Sequence, residues 1–388
     1  MDIKLNPNIA ASPVYVGGAS VADMKKAYGL DAFIKLASNE SPFGPSPKAV
    51  AAMQQALAGL NRYPPAGDES LRQALARHLG GGMQADNFVT GNSGCDVLNM
   101  VSLALLNPGE GCVICRPTFP VYDITARRAG AEVTYVDLNP THFQYDVEAI
   151  LGAVTDQTRL VYLCSPNNPT GVAISAGQLE TLIAHLPPQV VLVYDEVYYH
   201  FADAADRPDS LSYVRAGENI IVLHSFSKAY GLAGLRLGYG IAPAPLAEYL
   251  SRNRQPFHLS SLVIEGGIAA LDDADYIQNT VAAVIAERAW LYRELGQLGL
   301  PVWPSQANFV LFKPPFAAAE ISERLLRRGL IVRPMDQFYL PTHLRVSVGL
   351  PEENRRFIEA LTAILAELAA EGAPSVGEAA EAGGQFKF

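Results

Sequence analysis

Apolar positions in this chain follow two rhythms. Short β-branched runs occur at Val113 to Arg116, Ala131 to Val136, Arg159 to Cys164, Val190 to Tyr194 and Ile220 to Leu223. Their length and flanking turn residues predict buried strands. Helical spacing covers Lys48 to Gly59, residues 69–79 and Ser175 to His185, and an almost wholly apolar helix runs to about Leu106. Strands alternating with helices predict an α/β fold with a largely parallel sheet. Leu235 to Ala242 follows the Ile220 strand too closely for a crossover, so it is expected to run antiparallel. From about Ser260 the rhythm changes. A long helix at Tyr276 to Leu298 is followed by short strands at Ala307 to Lys313, Gly329 to Arg333 and Leu344 to Val348. Helices at 318–328 and 353–369 accompany them, which predicts a smaller α+β unit. The expected division is an arm and part of the small domain at 1–45, a large domain at 46–258, the small domain at 259–370 and a flexible tail at 371–388.

Composition narrows the partners. The chain is 49% hydrophobic and 18% charged, enough for a substantial core. A net charge of −10 without a basic stripe argues against nucleic acid. No apolar run reaches the ~18 residues of a membrane helix. The first residues carry no signal-type apolar segment, and there are four cysteines, so a cytoplasmic location is expected. Cys112 and Cys115 have redox-motif spacing but fall in a strand pattern, where positions i and i+3 face opposite ways. They read as core thiols, and no metal site is expected.

Three predicted strands end in polar groups: Ser165 to Gly171, Asp195-Glu196, and Ser225 through Lys228. Ligands of such sheets bind beyond the carboxyl ends of the strands, so Asn168, Asp195 and Lys228 should share one crevice. Lys228 falls in what reads as a tight turn between two buried strands. Desolvation lowers an amine's pKa and makes it a usable nucleophile toward a carbonyl. Ser225, Ser227 and Arg236 beside it suit a phosphate dianion, and an aldehyde that carries its own phosphate is pyridoxal phosphate. The turn at Gly91-Asn92-Ser93-Gly94-Cys95 opens a helix, a ready anion site. Each feature alone also has a plainer reading: a solvated turn lysine, a capping carboxylate, a turn asparagine.

Ser225-Phe226-Ser227-Lys228 with Arg236, Asn168 in Asn-Asn-Pro-Thr-Gly, and Asp195 before Tyr198 resemble the fold type I pyridoxal-phosphate aminotransferases. Lys35 to Glu40, Tyr63-Pro64, Gln255-Pro256-Phe257, and Gly329 to Arg333 with Leu344 to Gly349 narrow the resemblance to the histidinol-phosphate aminotransferase family. It spans about residues 12–368. It implies a large domain with a mostly parallel seven-stranded sheet between helices, plus the smaller α+β domain. The implied reaction is transamination of histidinol phosphate with 2-oxoglutarate through a Lys228 Schiff base, in histidine biosynthesis.

The roles the resemblance implies are these. Lys228 also shuttles the proton, Asp195 pairs with the pyridine nitrogen, and Asn168 and Tyr198 bond the ring oxygen. Phe119 stacks on the ring. Backbone groups of Ser93, Gly94 and Cys95, with Ser225, Ser227 and Arg236, hold the phosphate. Tyr63 reaches it from a partner subunit, which implies a homodimer with shared sites. Arg345, Arg333, Tyr15 and Asn39 face the substrate. The sequence departs from the family at Ser93-Gly94-Cys95-Asp96, at His258-Leu259-Ser260 and at His200. An aromatic amino-acid aminotransferase and a phospho-amino-acid decarboxylase on the same scaffold are alternatives, as is a non-catalytic module that keeps the cofactor.

Overall fold

A computed structural model describes residues 3–14, 17 and 21–375. Its strands in chain order are β1 (Ile34–Lys35), β2 (Phe88–Gly91), β3 (Gly111–Arg116), β4 (Glu132–Asp137), β5 (Thr158–Cys164) and β6 (Val191–Asp195). There follow β7 (Ile220–Ser225), β8 (Gly238–Ile241), β9 (Phe309–Phe312), β10 (Leu330–Ile331), β11 (Arg333–Pro334) and β12 (Leu344–Ser347). Seven strands form the main sheet in the order β2-β8-β7-β6-β5-β3-β4. All its pairings are parallel except those of β8, which runs antiparallel to β2 and β7. The expected α/β class and the antiparallel strand are both present.

Both faces of the central strands are buried, which is why β5, β6 and β7 are near-continuous apolar runs, whereas the edge strand β4 is partly exposed and alternates. Leu192, Tyr194, Ile220 and Val222 join one cluster. Val193, Ile221 and Leu223 join the other. Cys112 and Cys115 divide between the same two clusters, and burial pushes each thiol up to about 12. Among the described residues no cluster of side chains suits a metal ion, and no helix is long and apolar enough to cross a membrane.

The second unit is built on the antiparallel sheet β11-β12-β9 and the parallel pair β1-β10. Its core of Phe309, Phe312, Leu344, Val346, Phe357 and Leu361 is separate from the two sheet clusters. β1 ties the N-terminal segment to this unit.

Four features differ from the sequence reading. Lys228 lies not in a tight turn but in a longer loop between β7 and β8. Phe226 N–H donates to Leu237 O and Leu232 N–H to Phe226 O, so the loop closes on itself and contains a short 3-10 turn at Ala233–Leu235. The helix Ser261–Leu271 lies in the segment expected to belong to the small domain. Its buried Val263, Ile264, Ala270 and Leu271 belong to the main-sheet cluster, and it packs on the helices Pro47–Ala56 and Glu69–Leu79. Glu371, expected to open a flexible tail, caps the helix Pro351–Ala370 and accepts from both terminal nitrogens of Arg324. The remaining tail, 376–388, lies outside the described residues, as does Tyr15. Finally, the helix Val121–Arg128 starts directly after Pro120, where the proline-broken sequence gave no periodic signal.

Candidate active site

β5, β6 and β7 end at one edge of the main sheet, with Cys164 level with Asp195 and Asp195 level with Leu223. The peptide chain turns there into polar loops. A cavity of about 380 Å³ opens at this edge. Lys228, Asp195, Tyr198, Asn168 and Phe119 line it, with Ser93, Gly94, Cys95, Ser225, Ser227 and Arg236 at one side. Asn39, Arg333 and Arg345 close it from the smaller unit's side. Tyr63 is not among its walls: it is 82% exposed and stacks on Phe257 at 4.8 Å.

Two groups carry unusual charge states. Burial pushes the Asp195 carboxyl up to about 6, against the Tyr122 hydroxyl, the Val197 N–H and the charges of Lys228 and His224. Tyr122 donates to its Oδ2 at 2.6 Å and Val197 N–H to its Oδ1 at 3.2 Å. Burial, with the Arg345 charge, pulls Lys228 down to about 8, against Glu40, Cys95 and Asp195. Its Nζ donates to Asn39 O at 3.3 Å and lies 5.3 Å from the Tyr198 ring centre. A pKa brought down to about 8 leaves a usable fraction of the amine uncharged near neutrality, and that form is a nucleophile and a base.

The anion cradle has a structural cause. Ser93 caps the helix Gly94–Leu105 with a φ of 112°, and Ser93, Gly94 and Cys95 at the start of that helix line the cavity, where unpaired first-turn N–H groups suit an anion. The turn sits directly on β8. A Cβ at Gly238 would come within 2.3 Å of Gly94 N, so only glycine permits this approach. Arg236 takes a left-handed conformation and donates to Ala233 O at 2.8 Å, which holds its exposed side chain at the cavity rim. Ser227 N–H donates to Ser225 Oγ at 3.1 Å.

The other wall carries two guanidinium groups. Arg345 on β12 is 4% exposed, donates to Ala37 O at 2.7 Å and to Asn168 Oδ1, and lies over the Phe309 ring. Arg333 on β11 is its direct cross-strand partner and donates to Gln337 at 3.0 Å. Asn39, with a φ of 54°, donates to the Tyr198 hydroxyl at 3.0 Å and accepts from Ser347 at 3.0 Å. Tyr122, Ser347, Phe338 and the Ala37 carbonyl were not foreseen. Only Ser347 left a trace, two residues after Arg345 and so on the same strand face.

An amine, a carboxylate and an anion cradle around one cavity form a donor set that fits a phosphate-bearing pyridine aldehyde. A family model for aminotransferase class I and II matches residues 31–361. The histidinol-phosphate aminotransferase of Symbiobacterium thermophilum is 40% identical over 353 residues, 91% of this chain and 96% of that one. Histidinol-phosphate aminotransferase 2 of Pseudomonas fluorescens is 39% identical over 362 residues, covering 93% and 97%. The crystal structure of the Sinorhizobium meliloti histidinol-phosphate aminotransferase in complex with pyridoxal 5′-phosphate superposes with a TM-score of 0.85 at 28% identity, covering 94% of this chain and 98% of that one.

Proposed function

Because the chain belongs to the class I and II aminotransferases, we propose that it transfers the amino group of L-histidinol phosphate to 2-oxoglutarate. Pyridoxal 5′-phosphate is its cofactor, and when bound it supplies an aldehyde and an electron-withdrawing ring. The chain's own residues do the rest. Asp195 holds a proton at the pyridine nitrogen; a charge pair at ~4 Å is worth about 4 kcal/mol at an effective dielectric of 20. Lys228 Nζ would take the proton from the substrate carbon that bears the amine and deliver it to the carbon on the other side of the nitrogen, the former aldehyde carbon. Asn168 and Tyr198 orient the ring, and Phe119 covers one face of it.

The observation that carries the substrate reading is the cross-strand pair of Arg333 and Arg345 at one cavity wall. Histidinol phosphate has no α-carboxylate and offers a phosphate dianion instead, which two guanidinium groups match better than one. The exposed Tyr63, outside its own chain's cavity, supports a homodimer in which it serves the second copy's site. Four free cysteines suit the reducing cytoplasm. The packing of Ser261–Leu271 supports a large domain that extends through that helix, with the arm and the rest forming the small domain.

A half-reaction tests the reading. L-histidinol phosphate is added to the loaded protein without an acceptor, and the cofactor absorbance is followed, with phenylalanine and tyrosine run in parallel. Fastest conversion by histidinol phosphate is expected. Conversion by the aromatic amino acids alone would overturn the substrate and leave the aminotransferase.

A further inference from the structure

The main sheet carries a second polar cluster on the face opposite the cofactor cavity. Asp195, Leu223 and Ser225 line the active-site cavity, whereas their chain neighbours Glu196 and His224 line a separate cavity of about 520 Å³. We propose that His224 is a positioning residue that sets Asp195 for the cofactor's ring nitrogen from behind the sheet. The inference rests on the cofactor assignment above.

The connection is short and fully bonded. His224 is 2% exposed, and its Nε2 lies 2.7 Å from Glu196 Oε1. Its Nδ1 lies 3.0 Å from the hydroxyl of Tyr239, its cross-strand partner on β8. The ring stacks on Tyr199 at 4.1 Å with 16° between the planes. Glu196 Oε1 also accepts from Ser210 at 2.9 Å, and Glu196 N–H donates to Leu223 O at 3.2 Å. One imidazole thus ties together the ends of β6, β7 and β8. Those ends carry Asp195, the Lys228 loop and the Gly238 seat of the anion cradle.

A buried polar group of this kind adds little stability over an apolar filler of equal volume. What it adds is a fixed orientation, which an apolar filler lacks. The imidazole also acts through space, since His224 is among the groups that hold the Asp195 carboxyl toward its charged form. The other titratable groups around the ring are Tyr199 and His200 on the turn after β6, Tyr230 on the Lys228 loop and His78 on the helix Glu69–Leu79. Arg207 and Asp209 line the same cavity.

The test measures the dissociation constant of pyridoxal 5′-phosphate from the apo-protein between pH 5 and 8, by cofactor absorbance. Binding weakens on the acid side as Asp195 takes up a proton. His224→Phe keeps the stack on Tyr199 and removes both polar contacts. It is expected to weaken binding roughly fivefold at pH 7 and to move the acid limb up by about half a unit. His224→Gln keeps a donor for Glu196 and is expected to stay within about twofold of the wild type. Tyr239→Phe, which loosens the ring without emptying the site, gives a smaller shift in the same direction and serves if His224→Phe does not fold. Unmoved limbs in His224→Phe and Tyr239→Phe overturn the proposal. Equal damage in His224→Phe and His224→Gln, with only a lowered melting temperature, also overturns it. Failure of the wild type to take up the cofactor would strike the cofactor assignment instead.

Discussion

Two clusters of buried charge in this molecule behave in opposite ways. In the first, Asp68 is 1% exposed and accepts from Thr90 and from Arg254 at 2.7 Å, while Arg72 binds its other oxygen at 3.0 Å. Burial pushes that carboxyl up, but the Thr90 hydroxyl and the two guanidinium groups outweigh it and hold it below the ordinary range. In the second, Asp195 and Lys228 line one cavity, and no hydrogen bond joins them directly. Burial wins there, and both groups are driven toward neutrality. The first cluster is complete within the chain and serves the fold. The second, on the proposed function, is completed by a ligand that brings a cationic ring nitrogen, a carbonyl and a phosphate. Buried charges left short of partners are a mark of function when they share a cavity.

The largest effect that could break this contrast is on turnover. Lys228→Ala removes the base and nucleophile while leaving the anion cradle and Asp195 in place. Transamination should fall about a thousandfold or more, measured as keto-acid formation with saturating cofactor. Retained turnover would reduce Lys228 to a buried structural amine, no different in kind from the Arg72 and Arg254 pair.

How much of this was legible in the sequence follows from where each contact comes from. The central strands were readable because a sheet buried on both faces leaves runs such as Ile220 to Leu223 with no polar interruption. Lys228, Asp195, Asn168 and Arg345 were readable as polar groups at strand ends or within strands. Their family-like spacing supplied the roles that physics alone left open. Tyr122 was not readable, since its value to Asp195 depends on a helix meeting a strand end 73 positions away in the chain. The Glu196–His224–Tyr239 chain was missed for the same reason, because each member alone is an ordinary strand residue. That the helix Ser261–Leu271 packs on the main-sheet core was not legible, because its apolar pattern says that it packs, not on which core.

The second prediction acts on the complete cluster. Asp68→Asn keeps the shape and removes the charge that two arginines share. Breaking a buried pair from one side costs about 3 kcal/mol, read from urea unfolding of the loaded protein. Because the folded-state pKa of Asp68 is depressed, its contribution is present above the ordinary carboxylate value and is lost as pH falls through the folded value. The deficit of the variant should therefore shrink in acid. A variant as stable as the wild type at pH 7 would mean that the Asp68 charge is no better partnered than that of Asp195, and the difference between the two clusters would vanish.

The smallest effect sharpens the contrast from the other side. Lys228 is depressed from 10.5 to about 8, so the unfolded chain holds its proton more tightly than the folded one. Between these two values the unfolded state binds more protons, and apo-protein stability rises with pH across that window. Below about 8 the folded state carries the whole penalty. Water that reaches the half-buried amine limits the penalty to about 2 kcal/mol. Lys228→Met fills the same space without a charge. The apo-protein of this variant should be more stable than the wild type by about 2 kcal/mol at pH 7, and the gap should close as pH rises toward 10.5. Asp68→Asn moves stability in the opposite direction. A residue whose removal stabilises the fold while abolishing turnover is held against a cost, and that cost is what the incomplete cluster has and the complete one lacks. Equal stability of the wild type and Lys228→Met at pH 7 would show that the amine is solvated like any surface lysine, and the distinction between the two clusters would fall on Asp195 alone.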